Sequence, residues 1–138
     1  MHHEVALALT ALLLISLSWD ADNQIGATVF VLMLAMRLIS KINLFVGVPN
    51  STSEMLPEQL AYLKTYFGPS RLTVLLALSV AGLVAVSTWF AALALAAPVG
   101  SAEMVGASLL FTLSLLGVLE HLFLALPFRD GMLWGWAL

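Results

Sequence analysis

Cysteine is absent from the 138 residues, so neither a disulfide nor a thiolate metal site can form. Charge is scarce as well. Only 9% of residues are Asp, Glu, Lys or Arg, about a third of the roughly 25% usual in a soluble domain. A chain so poor in charge cannot cover a globule with solvated side chains. The basic residues number five and the net charge is −3, which argues against a nucleic-acid partner. Sustained apolar/polar alternation is also missing, and this excludes a transmembrane barrel, whose strands need it.

What is there is apolar. Hydrophobic residues make up 62% of the chain and mean hydropathy is +1.04. The apolar runs are continuous, and a helix needs about 20 such residues to cross the hydrocarbon. Backbone groups in lipid must bond within their own segment. The expected fold is therefore an all-α membrane protein, a four-transmembrane-helix bundle forming one transmembrane domain over residues 1–138. Span one covers about residues 4–19. At 1.5 Å per residue it is about 24 Å long, which sets His2, His3 and Glu4 at the membrane edge. A signal peptide is the competing reading, but MHHE is not basic and Ser18-Trp19-Asp20 is a poor cleavage site. Span two covers about 25–48 and is broken by Pro49. Span three covers about 72–97 and is closed by Pro98-Val99-Gly100. Span four covers about 104–128, and Trp134 and Trp136 behind it are placed like interfacial anchors.

Between spans two and three, Pro57 suits the start of a helix and Gly68-Pro69 its end. Leu56, Leu60, Leu63 and Phe67 fall at i, i+4, i+7 and i+11. The spacing predicts a short amphipathic helix over 57–67 lying on the interface. A simple covering loop and a partner-docking surface compete with that reading.

All five basic residues fall on one side. Arg37 and Lys41 lie in the second half of span two, Lys64 and Arg71 in the following connection, and Arg129 after span four. The turns after spans one and three hold Asp20, Asp22 and Glu103 instead. That side should be cytoplasmic, with both termini on it, in a bacterial inner membrane.

Ionisable residues within spans are costly and usually face the bundle. Arg37 and Lys41, spaced i, i+4, and Glu120 at similar depth in span four predict an ion pair between Glu120 and one or both cations. His121 next to Glu120, with His2, His3 and Glu4 at the same end, opens two further readings. One is a metal site, joined by Glu54 or Glu58, for which imidazole and carboxylate suit iron, manganese or zinc. Against it, Glu-x-x-His pairs are missing and two cations lie nearby. The other is a tetrapyrrole site. Gly117 lies four residues before His121 and leaves room for a flat ring, although small residues also serve plain helix packing. Pigment handling ranks above a metal ion because a large ring can bridge the depth between His3 and His121.

Several segments resemble the photosynthetic complex assembly protein 2 family (PuhE-type) of purple phototrophic bacteria. They are His2-His3-Glu4-Val5-Ala6-Leu7, Met36-Arg37-Leu38 with Lys41-Ile42-Asn43, and Gly47-Val48-Pro49-Asn50. The stretch from Leu56 to Phe67, Leu119-Glu120-His121 and the closing Leu133-Trp134-Gly135-Trp136-Ala137-Leu138 add to them. The family's proteins are longer, and this chain resembles their C-terminal half. The resemblance implies an integral membrane assembly factor for reaction-centre and light-harvesting complexes in the intracytoplasmic membrane. Its partners would be the lipid bilayer and the reaction-centre or light-harvesting polypeptides. It would handle bacteriochlorophyll, a precursor or nascent pigment-protein helices by holding them, with His121, Glu120, His2, His3 and Glu4 as the candidate binding residues. The alternatives are a metal-dependent membrane enzyme of tetrapyrrole or carotenoid modification and a structural subunit of the mature complex. A holding role is favoured over catalysis.

Overall fold

The computed structural model describes residues 2–50 and 58–126, and for His2 and Glu4 the backbone alone. These residues form four α-helices and one 3-10 helix. The α-helices are α1 (His2–Ser18), α2 (Ile25–Val46), α3 (Val74–Ala96) and α4 (Ala102–Ala125). Among the described residues there are no strands. Helices α2, α3 and α4 are long and apolar enough to cross a membrane. α1 is apolar but shorter, 17 residues or about 25 Å against a hydrocarbon core of about 30 Å.

Local chemistry sets the ends. Ser101 caps α4, its hydroxyl accepting from the N–H of Met104 at 3.1 Å, with Glu103 in the first turn. Thr73 caps α3 by accepting from Leu76 N–H at 3.2 Å. Between α3 and α4, Ser101 N–H donates to the Pro98 carbonyl at 3.0 Å and Gly100 turns the chain at φ +79°. Gly47 ends α2 at φ +126°, a left-handed conformation that a side chain resists, and Pro69 sits where a Cβ on Gly47 would go.

The packing is uneven. α3 and α4 form a close antiparallel hairpin, and the buried residues include Gly106, Ala107, Ser114 and Gly117 on α4 and Leu76, Leu83 and Ser87 on α3. Small residues let helix backbones approach where lipid provides no hydrophobic drive. α2 lies along this hairpin, and Met36, Leu83 and Val118 with Leu32 make the apolar core. α1 leans mainly on α2, and of its apolar side chains only Ala11 is buried. Leu12 and Leu17 are 64% and 72% exposed.

α2 and α4 run parallel in a constant register. Ile25 fills the space beside Gly106, Met36 that beside Gly117, and Ser40 meets His121, each pair 81 positions apart. The ends of both helices are stitched together below that point. Asn50 donates its backbone N–H to the Leu124 carbonyl (3.1 Å) and its side-chain amide to the Phe123 carbonyl (3.2 Å). These bonds satisfy carbonyls that the last turn of α4 would leave open. Gly68 N–H donates to the Leu44 carbonyl at 2.9 Å and the Ser70 hydroxyl to the Pro49 carbonyl at 2.9 Å.

The connection departs from expectation. Glu58–Tyr66 is a 3-10 helix rather than an amphipathic α-helix. No residue in it is buried against the rest of the chain, so no packed face favours the wider α-helical turn. With three residues per turn, Leu60, Leu63 and Tyr66 align instead of the i, i+4, i+7 stripe. Leu56, Pro57, Glu54, Arg129, Trp134 and Trp136 lie outside the described residues.

Candidate functional site

One face of α2 carries Met36, Ser40 and Asn43 inward at helical spacing, with Gly47 just past its end, all buried. Ser40 reaches α4. Its hydroxyl donates to Glu120 Oε1 at 2.6 Å and lies 3.5 Å from His121 Nε2. His121 is fully buried. Its Nδ1 is 2.8 Å from the Gly117 carbonyl oxygen. A carbonyl can only accept, so Nδ1 carries a proton and donates to it, while Nε2 faces the Ser40 hydroxyl oxygen.

Glu120 thus lies against the α2 segment flanked by Arg37 and Lys41, at the depth expected for a pair. Both cations are engaged by neighbours. Arg37 also lines a groove between α1 and α2 with Leu7, Phe30, Met33 and Leu34. His3, one turn before Leu7, is exposed at this same end of the molecule. Among the described residues, no group of three or more His, Asp or Glu comes together to hold a metal ion; the side chains of His2 and Glu4 lie outside them.

The ring space expected beside Gly117 is filled. A Cβ there would run into Met36 Sδ, with Leu83 close behind. With Nδ1 held by the Gly117 carbonyl, His121 could ligate only through Nε2, and that nitrogen is enclosed against Ser40. The residues as packed do not fit a macrocycle on His121, and the clasp they form holds α2 to α4.

Ser40 and Asn43 were not among the expected site residues. Their signal was positional, since Met36, Ser40, Asn43 and Gly47 recur at four- and three-residue steps. Asn43 donates from its amide nitrogen to the Ile39 carbonyl (3.1 Å) and to Ser79 Oγ on α3 (2.9 Å).

These features define an all-α protein with three helices long and apolar enough to cross a membrane, fastened by a polar clasp at one end. The chain belongs to the family described as protein of unknown function DUF3623, whose model matches residues 1–138. It is 35% identical over 137 residues to an uncharacterized 30.4 kDa protein in the puhA 5′ region of Rhodobacter capsulatus, covering 99% of this chain and 49% of that protein. It therefore spans about half the length of that relative. No solved structure matches.

Proposed function

We propose that this chain is an assembly factor of the PuhE type for bacterial photosynthetic reaction-centre and light-harvesting complexes, and that it acts by holding nascent pigment-protein helices. The observation that carries the photosynthetic role is the similarity of 99% of this chain to about half of a protein encoded in a photosynthesis gene region. Holding is supported by the uneven packing. α3, α4 and the inner face of α2 are fastened by small residues and the Ser40–Glu120–His121 clasp, while α1 packs mainly against α2 and buries only Ala11 of its apolar side chains. A transmembrane helix can lie against such a surface and leave it without breaking a bond.

In this reading all four α-helices cross the inner, intracytoplasmic membrane. α2 and α4 run in one direction, and Arg37, Lys41, Lys64 and Arg71 gather towards the ends at which they finish. That end is cytoplasmic, and both termini share it. α1 meets the bilayer thickness by drawing the His2-His3-Glu4 edge to the headgroups.

The test is a photo-crosslinking amino acid at Leu12 or Leu13 in phototrophic cells, followed by pulse labelling. Crosslinks to newly made light-harvesting or reaction-centre polypeptides should appear and then fade during the chase. Persistent crosslinks at fixed ratio to mature complexes would make the chain a structural subunit. Bacteriochlorophyll co-purifying in stoichiometric amount, with no polypeptide crosslink, would make pigment the cargo.

A further inference from the structure

The end of the molecule opposite the clasp carries charge of one sign. The turns at 19–24 and 97–101 and the first turn of α4 hold Asp20, Asp22 and Glu103, and no Lys, Arg or His. At this end α2 begins, α3 finishes and α4 begins, and a groove opens between the three. Its apolar walls are Ile25 of α2, Phe90, Leu93 and Ala96 of α3, and Ala107 and Leu110 of α4. Glu103, itself exposed, is the charged residue that lines it. The groove has a volume of about 540 Å³. From Glu103 to Leu110 the rise is about 10 Å at 1.5 Å per residue, the length of two helical turns. Two turns displace on the order of 800 Å³, from pitch and diameter. The groove therefore seats the side of a helix over two turns without enclosing it.

The chemistry of the walls selects among occupants. The apolar walls call for an apolar partner, and the acidic end beside them calls for a cation. A second copy of this chain lying parallel cannot bring that cation, because Arg37, Lys41, Lys64 and Arg71 gather at the other end. A phospholipid brings a phosphate with any ammonium it carries, and the carboxylates repel the phosphate. A small soluble cation leaves the apolar walls uncovered. An apolar helix that finishes in Lys or Arg at this end satisfies both demands.

We therefore propose that the groove between α2, α3 and α4 docks a transmembrane helix of a partner protein whose end on this side carries Lys or Arg. Its last two apolar turns lie on Phe90, Leu93 and Leu110, and the small Ala96 and Ala107 let it approach closely. Its cation meets Glu103, and Asp20 and Asp22 add to the field. In the orientation given above this end is periplasmic, where Lys and Arg are scarce beside transmembrane helices. A basic residue there discriminates one helix from many, and the acidic end repels helices that finish in Asp or Glu. The inference rests on the holding role and names which helices are held; the groove is separate from the α1 surface.

The test exploits the lack of cysteine. Val99→Cys, at a 95% exposed position in the adjoining turn, takes a single dye. Apolar helical peptides of about 20 residues, ending in Lys-Lys, Gln-Gln or Glu-Glu and labelled at that end, are titrated against it in phosphatidylcholine nanodiscs and read by energy transfer. The lysine peptide should bind about three- to fivefold more tightly than the glutamine peptide, the range of an exposed ion pair, and the glutamate peptide more weakly still. Glu103→Gln should remove most of the lysine preference. Ala96→Phe fills the groove from an exposed position and should weaken all three peptides. Equal binding of the peptides, a lysine preference that survives Glu103→Gln, or binding untouched by Ala96→Phe would overturn the groove and leave the holding role standing. No binding by any peptide would overturn both. Energy transfer between two labelled copies of the chain that Ala96→Phe abolishes would make a second copy the occupant instead. Loss of the lysine preference when phosphatidylethanolamine replaces phosphatidylcholine would make it a lipid.

Discussion

Ser40 and Glu120 are joined by a 2.6 Å hydrogen bond between α2 and α4, and His121 Nε2 lies 3.5 Å from the same hydroxyl. The bond fixes the register of two parallel helices that the 3-10 connection and α3 separate in the chain. It should therefore be a measurable determinant of stability. Ser40→Ala removes the donor and should lower stability by about 1–2 kcal/mol, towards the low end for charge-assisted bonds because Glu120 is exposed. Melting in detergent reads the loss. Ser40→Ala combined with Glu120→Gln should cost less than the two single losses together; strict additivity would deny the contact.

Arg37 and Lys41 bracket Ser40, so the Glu120 carboxylate lies on a cationic stretch of α2. If Glu120 is the counter-charge of Lys41 or Arg37, Glu120→Gln alone should reduce membrane levels. Adding Lys41→Met should restore part of the loss. If the double variant is no better than Glu120→Gln, Lys41 is not the partner, and the same cycle with Arg37→Met decides for Arg37.

Gly117 is small because Met36 occupies its side-chain space. Gly117→Ala should destabilise by about 1–3 kcal/mol through overpacking. Met36→Ala in the same chain should make room and recover much of it, although Met36→Ala alone leaves a cavity and is destabilising. Melting temperatures of the four proteins settle the matter. Equal penalties for Gly117→Ala with and without Met36 would mean that the helices had moved apart.

The order of the helices was legible in the sequence, and their ends lie within about two residues of expectation for the first three. Long apolar runs bounded by Asp20-Ala21-Asp22, Pro49 and Pro98 leave little choice in lipid. The common depth of Glu120 and the Arg37–Lys41 stretch was legible too, since charges in a span must find partners. Ser40 escaped notice because serine is ordinary in membrane helices and only the partner helix shows its use. The filling of the Gly117 space by Met36 was illegible for a related reason. A small residue four before a histidine suits a flat ring and a packed thioether equally. The 3-10 geometry of Glu58–Tyr66 follows from the lack of a buried face, which an i, i+4 count cannot register.

Orientation is open to a direct check. Reporter fusions within residues 20–24 and within residues 68–71 should report opposite sides of the membrane, periplasmic and cytoplasmic respectively. The hydrogen bonds from Gly68 and Asn50 place the second site at the shared end of α2 and α4. A cytoplasmic signal from the 20–24 fusion would invert the arrangement and remove the basis for cytoplasmic termini.

His121 separates a packing role from a ligand role. His121→Leu nearly keeps the bulk but loses the Nδ1–H bond to the Gly117 carbonyl and the ring nitrogen beside Ser40. A buried hydrogen bond of this kind contributes about 1 kcal/mol, and more where its partner is left unmet. The Gly117 carbonyl remains within an α-helix, so the larger effect should fall on the Ser40–Glu120 side of the clasp. The expected outcome is a lower melting temperature, a lower membrane level, and a loss of photosynthetic complex in proportion to that level. His121→Asn sharpens the distinction. Its amide nitrogen falls near the Nδ1 position and can donate to the Gly117 carbonyl, but nothing replaces Nε2. If His121 fastens helices, His121→Asn should recover part of both stability and complex yield. If His121→Leu keeps normal membrane levels while bound pigment disappears, and His121→Asn fails in the same way, the ring nitrogen acts on a ligand and Met36 must leave the space beside Gly117 to admit it.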